Sequence, residues 1–413
     1  MSPIGSRTVR ACLLLCLPAA LTPLAAQSGR AKTRPAITVS DLRSRLFLIA
    51  DDSMMGRETG SKGDFQTADY VAAEFMRLGL TPAGENGGWF QAVPFWVATG
   101  GIKTISGNLV GRTTDGSHPG TLVAGTDFIV IPRLVNATLA GPVPTILGGA
   151  LDDPAHWIDS AAAVGKVVVI SGSDSAVGPR LPAMLNRAFL SSRFAGARAV
   201  AVAQLDRIPH GMAVDMGRAR VTHDSSRIAR PLPLLVSDRA KGVLLTGEVR
   251  AGDGDSGVSV APTPYPARNV IGTLPGRDPK LRGEYVSITG HNDHVGICMS
   301  AVDHDSMRAF LRVLRPMGAD TRTWNETPAA DAQIRVILDS LRRLHPPRAD
   351  SICNGADDDG TGTVAILELA EAFASMPMAQ RPRRSLLFVS HVGEERGLVG
   401  SAWYTDHATV PVD

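Results

Sequence analysis

The sequence lacks a charge excess, is poor in cysteine and, after its first 26 residues, holds no long apolar run. A net charge of +2 gives no basis for binding nucleic acid or an anionic membrane surface. Four cysteines in 413 residues are too few for a disulfide scaffold. None is needed, because 44% apolar and 20% charged residues allow a core of ordinary size. No later segment is apolar enough to span a bilayer, and no internal repeat is present. The motif His-Glu-x-x-His is absent, which excludes single-zinc chemistry of that kind. The length suggests two or three domains.

What is present begins with a leader. Arg7 and Arg10 precede an apolar run, Ala11–Ala26, that ends on small residues before Gln27. The run contains Pro18 and Pro23 and falls short of the roughly 20 residues of a spanning helix. Residues 1–26 are therefore read as a signal peptide, and the mature protein as periplasmic or extracellular. Cys12 and Cys16 would leave with the leader, and Cys298 and Cys353 would remain where pairing is permitted.

Helical spacing marks Leu42, Leu46, Phe47 and Ile49, then Thr67–Leu78, with turn chemistry at Met55–Ser61 between them. From Trp89 to Pro266 the chain reads as short strands, among them Thr121–Val123, Phe128–Ile131, Val167–Ile170, Ala195–Gln204 and Leu232–Val236. Proline-rich Ala261–Pro266 closes that stretch. Strands at Tyr285–Thr289 and Ser385–Val389 then alternate with helices at Ala330–Leu344 and Thr363–Phe373. That rhythm predicts an α/β unit with a mainly parallel sheet.

Three polar clusters fall where such sheets bind ligands, beyond strand ends and at helix starts. Gly290–Gly296 (GHNDHVG) follows the first strand, Asn354–Gly360 (NGADDDG) opens a helix, and His391–Gly397 (HVGEERG) follows the second strand. Singly, each has a structural reading: a strand-end histidine, an aspartate N-cap, an exposed charged turn. In this order together they point to a metal site with histidine and carboxylate ligands. A rival reading places Asp357, Asp359, Thr361, Gly362 and Glu368 at positions 1, 3, 5, 6 and 12 of a calcium loop, although no incoming helix precedes it.

Asp51–Gly60, Asn269–Gly276, His291-Asn-Asp293, Asn354–Gly362 and Gly393–Ser401 resemble the M28 family of zinc peptidases, which includes secreted aminopeptidases and glutamate carboxypeptidases. The resemblance implies an α/β fold with a phosphorylase/hydrolase-like mixed sheet flanked by helices, built from 27–100 and 267–413. It also implies a β-rich protease-associated insert at 101–266. By resemblance, His291 binds one of two Zn²⁺ ions, Asp357 bridges both and Glu395 binds the other. Glu394 is then the general base, Asp293 orients His291, and a cis peptide joins Asp357 to Asp358. If those ligands meet, Cys298 and Cys353 become neighbours and form a disulfide.

The implied activity is removal of amino-terminal residues from peptides, with a dipeptidase or carboxypeptidase as the alternative within the family. The family pattern needs a further aspartate and histidine. Asp406 and His407 follow the Glu-Glu cluster too closely to match them, and the chain stops at Asp413. The resemblance therefore implies a C-terminally incomplete enzyme, the alternative being a non-catalytic, metal-poor binding module. The stretch from Met299 to Arg348 is an excursion between the first two clusters.

Overall fold

The computed structural model describes residues 33–108, 120–132, 139, 141–176, 178–223, 231–252, 257–317, 321, 323 and 325–411. The expected leader, with Cys12 and Cys16, lies outside the described residues.

Helix Lys62–Arg77 starts at Ser61, whose side chain accepts the Asp64 amide, and buries Ala68, Val71, Ala72 and Phe75 along one stripe. Helix Thr361–Ala374 buries Val364, Ile366, Leu367 and Ala370. Both stripes pack on one face of a sheet ordered Thr81–Pro82, Ala267–Leu274, Ser385–His391, Tyr285–His291, with Phe90–Val93 also paired to Ala267–Leu274. Phe388 is fully buried there, its ring centre 6.1 Å from that of Phe75. Alternate residues Ile271, Leu387 and Val389 point to the opposite face, toward Tyr404 of helix Val399–Asp406.

This is a mixed sheet flanked by helices, not a mainly parallel one. Only Tyr285–His291 and Ser385–His391 run parallel, whereas Ala267–Leu274 is antiparallel to Ser385–His391. Fully buried apolar runs such as Leu386–Val389 carry no signal of direction, so the sequence pattern could not distinguish the two. The parallel register sets His291 beside His391. The loops that follow the two strands therefore leave the same edge of the sheet.

Strands Trp96–Gly100 and Val258–Pro262 pair antiparallel, so the chain enters and leaves the intervening segment through one ribbon. That segment carries an eight-stranded sheet in which Val143–Ala150, Val167–Ser171, Ala199–Val202 and Leu232–Val236 are mutually parallel. Helix Arg180–Phe189 makes one crossover and buries Leu181, Leu185, Ala188 and Phe189. The β-rich reading thus caught the strands and missed the helices between them. Among the described residues no helix is long and apolar enough to cross a membrane.

Strands Gly296–Asp303 and Ala349–Cys353 form a hairpin base for the excursion, which holds helices His304–Leu314 and Pro328–Arg342. Arg342 and Arg348 tie these helices to Asp305, which has no exposed surface. A disulfide joins Cys298 to Cys353, with Cα atoms 5.7 Å apart and a sequence separation of 55. Closing a loop of that length restricts the unfolded chain. The double variant Cys298→Ser/Cys353→Ser is expected to lose about 2–4 kcal/mol of stability. Urea unfolding under oxidising conditions measures it, and an unchanged midpoint would refute the expectation.

Candidate metal centre

All three clusters meet beyond the shared sheet edge. His291 closes the strand Tyr285–His291, and its Nε2 lies 3.3 Å from Asp358 Oδ1 and 3.8 Å from Glu394 Oε2. On its other side, Nδ1 is 3.1 Å from the Asp293 carbonyl oxygen and 3.6 Å from Asp293 Oδ1. Asp293 is fully buried, and its carboxylate accepts the Glu394 amide at 3.1 Å and the Thr59 hydroxyl at 2.8 Å. One carboxylate therefore orients the imidazole and also anchors the backbone of the Glu-Glu turn.

The adjacent glutamates diverge. Glu394 faces His291, whereas Glu395 Oε1 lies 2.6 Å from His294 Nδ1. His294, Asp358 and Glu395 each offer one ligand atom, and these atoms lie within 4.8 Å of one another. His291 approaches the same Asp358 carboxylate from the other cluster edge. Asp358 thus stands between two histidines, each with a glutamate beside it.

The structure sets Asp358, rather than Asp357, beside the two histidines. Asp357, expected to bridge two ions, is exposed, and its carboxylate faces Thr361 at 3.4 Å rather than either histidine. The cis peptide is Asp358–Asp359, one residue later than expected. Asp359 accepts the His291 amide at 3.0 Å and the Gly362 amide at 2.9 Å, which binds the helix start to the strand end. A Cβ at Gly362 would overlap the Asp359 carboxylate, so only glycine fits that contact. The calcium-loop reading fails because Glu368 is buried and paired with Arg45 at 3.0 Å, facing away from the aspartates.

Burial alone would lower the pKa of His291, but Asp293, Asp359 and Glu394 outweigh it and raise the value to about 9. His391 moves the other way, to about 4, through burial and then the neighbouring charge of His291. Five carboxylates, those of Asp293, Asp358, Asp359, Glu394 and Glu395, thus crowd two histidines in one edge cluster. Such a donor set fits a divalent cation, which relieves the repulsion and takes up the imidazole and carboxylate atoms together. Sequence reading named His291, Asp293, Glu394 and Glu395. The local pattern does not single out Asp358 or His294, although His291 and His294 stand at His-x-x-His spacing.

Beneath the cluster, Asp64 accepts the Gly60 amide at 2.9 Å and leaves Oδ1 without a hydrogen bond among the described residues. Burial first, then the charge of Asp293, push its pKa well above the ordinary 3.8. The folded protein keeps this proton where the unfolded chain releases it. Its contribution to stability therefore falls as pH rises from 3.8 toward the raised folded value. Asp64→Asn keeps the acceptor for Gly60 and is expected to flatten that fall. Urea midpoints taken between about pH 4 and 7 check this, and parallel curves for the two proteins would contradict it.

Fold and site define a mixed α/β protein with a histidine–carboxylate cluster suited to a metal ion. Residues 269–412 match the model of peptidase family M28. Solved structures similar to this chain include a zinc aminopeptidase from Bacillus subtilis, with 15% identity over 91% of this chain and 66% of that one, and a TM-score of 0.41. An aminopeptidase from Aneurinibacillus sp. strain AM-1 is 14% identical over 89% of this chain and 65% of that one, with a TM-score of 0.41. A peptidase M28 precursor from Shewanella amazonensis is 15% identical over 88% and 67%, with a TM-score of 0.37. The chain spans just under two thirds of the length of the first two.

Proposed function

We propose that this chain carries the metal site of an exported co-catalytic zinc exopeptidase that removes amino-terminal residues from peptides. The observation that carries the reading is the placement of Asp358 between His291 with Glu394 on one side and His294 with Glu395 on the other. His291 and Asp358 would hold one ion, and Asp358, Glu395 and His294 a second. Zinc bound there supplies Lewis-acid activation of water and polarisation of the scissile carbonyl.

The chain's own groups divide the remaining work. Glu394 is half-buried and bonded through its amide to Asp293, and its carboxylate, 3.8 Å from His291 Nε2, is placed to accept a proton from the attacking water. It can return that proton to the leaving amine. Asp293 holds the His291 ring with Nε2 turned toward Asp358. Export is supported by the leader at 1–26, which ends before Gln27.

The test uses protein recovered from the exporting host, with its amino terminus sequenced, its zinc counted, and leucine anilide hydrolysis measured before and after chelation. A start at Gln27, bound zinc and chelator-sensitive hydrolysis are expected. Protein with neither zinc nor hydrolysis, even after zinc is added back, would sink the enzyme reading and leave a binding module.

A further inference from the structure

We propose that Arg57-Glu58-Thr59 is a cross-brace that sets the three ligand loops against one another, with Arg57 as its central positioning residue. Between them, three consecutive side chains reach all three clusters. Arg57 reaches the main chain of the first two, Glu58 Oε1 accepts Arg396 Nη2 of the third at 2.6 Å, and the Thr59 hydroxyl donates to Asp293 Oδ2.

Arg57 is fully buried, and every hydrogen bond its guanidinium makes among the described residues goes to a backbone carbonyl. Nε donates to Asn292 at 2.9 Å, between His291 and Asp293. Nη1 donates to Asn354 at 2.6 Å and to Ile49 at 2.9 Å, and Nη2 donates to Gly355 at 2.8 Å. Among the described residues no carboxylate lies within 4.0 Å of it. A buried arginine held for stability alone is ordinarily matched to an acid, as Arg45 is matched to Glu368 and Glu371 here. Arg57 instead links the backbones of the loops that carry His291 and Asp358, so its planar fork fixes their spacing.

The backbone is bent to deliver it. Met55, Gly56 and Arg57 have φ values of 50°, 67° and 50°, three left-handed residues in succession. A Cβ at Gly56 would overlap the carbonyl oxygens of Gly296 and Cys353, so the turn packs directly against the ends of that strand pair. The next carbonyl, that of Arg57, accepts the His294 amide at 3.0 Å. Non-glycine residues persist in this conformation only where their surroundings impose it, commonly at functional sites.

The functional meaning of this brace rests on the metal reading, so the test has one arm that needs metal and one that does not. The full chain is compared with Arg57→Lys, Thr59→Val and, as a control, Arg45→Met. Lysine keeps the charge but cannot span four carbonyls from one nitrogen. Arg45→Met strands buried Glu368 away from the site and lowers stability by another route.

Arg57→Lys is expected to weaken Co²⁺ binding by about 10–100-fold and to shift the visible Co²⁺ bands, with Thr59→Val acting in the same direction. Hydrogen exchange should rise together in 290–296 and 354–362. Arg45→Met should lower the unfolding midpoint yet leave Co²⁺ affinity within about twofold. The proposal is overturned if Arg57→Lys leaves affinity and exchange in both loops unchanged. It is equally overturned if Arg45→Met weakens Co²⁺ as much at the same loss of stability. If Arg57→Lys does not fold, Thr59→Val decides, and native affinity with native bands in that variant rejects the brace. If the native chain takes up no Co²⁺ or Zn²⁺, the metal reading falls and the exchange arm alone judges the brace.

Discussion

Glu394→Gln is expected to lower hydrolysis of an aminoacyl anilide by about 10²–10⁴-fold while metal content stays unchanged. The two adjacent glutamates make the separation testable. Glu395 is turned to His294 and lies close to Asp358, whereas Glu394 points to the side near His291. Glutamine fills the same volume and preserves the amide bond to Asp293, but it cannot accept a proton at the carboxylate. The effect should fall on kcat with little change in KM, because the interaction is made in the transition state. Retained activity would remove Glu394 from the mechanism. Lost metal would instead make it a ligand.

Asp358→Ala and Asp357→Ala should differ sharply, although the residues are neighbours in a run of three aspartates. Removing Asp358 takes away the carboxylate between both histidines and is expected to weaken zinc binding by at least about 100-fold. Removing Asp357 takes away an exposed group facing Thr361, and zinc affinity should stay within about twofold. Competition with a chromophoric chelator measures both. The opposite ranking would restore Asp357 as the shared ligand and reject the arrangement drawn around Asp358.

Much of the scaffold was legible along the chain. The helices at Lys62–Arg77 and Thr361–Ala374 bury apolar stripes at helical spacing; Val39–Ile49 is a helix too, but it buries Asp41, Arg45 and Ile49 and leaves Phe47 exposed. Tyr285–His291 and Ser385–His391 are short strands that each end in histidine. The helix Arg180–Phe189 was missed among strands, although Leu181, Leu185 and Phe189 carry its period. Strand direction was not legible, because pairing with Ala267–Leu274 is a long-range choice. Arg57 was read only as part of a turn, since nothing local reveals that its acceptors are the distant carbonyls of Asn292, Asn354 and Gly355.

The sequence by itself determined the residue types at the site. Histidines after one strand, glutamates after another and aspartates before a helix are local facts, set by where apolar runs stop and polar ones begin. Tertiary structure alone decided which of those residues act together. Parallel register between Tyr285–His291 and Ser385–His391 brings His291 and Glu394 to one edge, and the turn at Asp358–Asp359 selects the second aspartate of three. Identical side chains one residue apart differ in nothing but the direction the backbone gives them, and that direction is imposed by contacts far away in the chain.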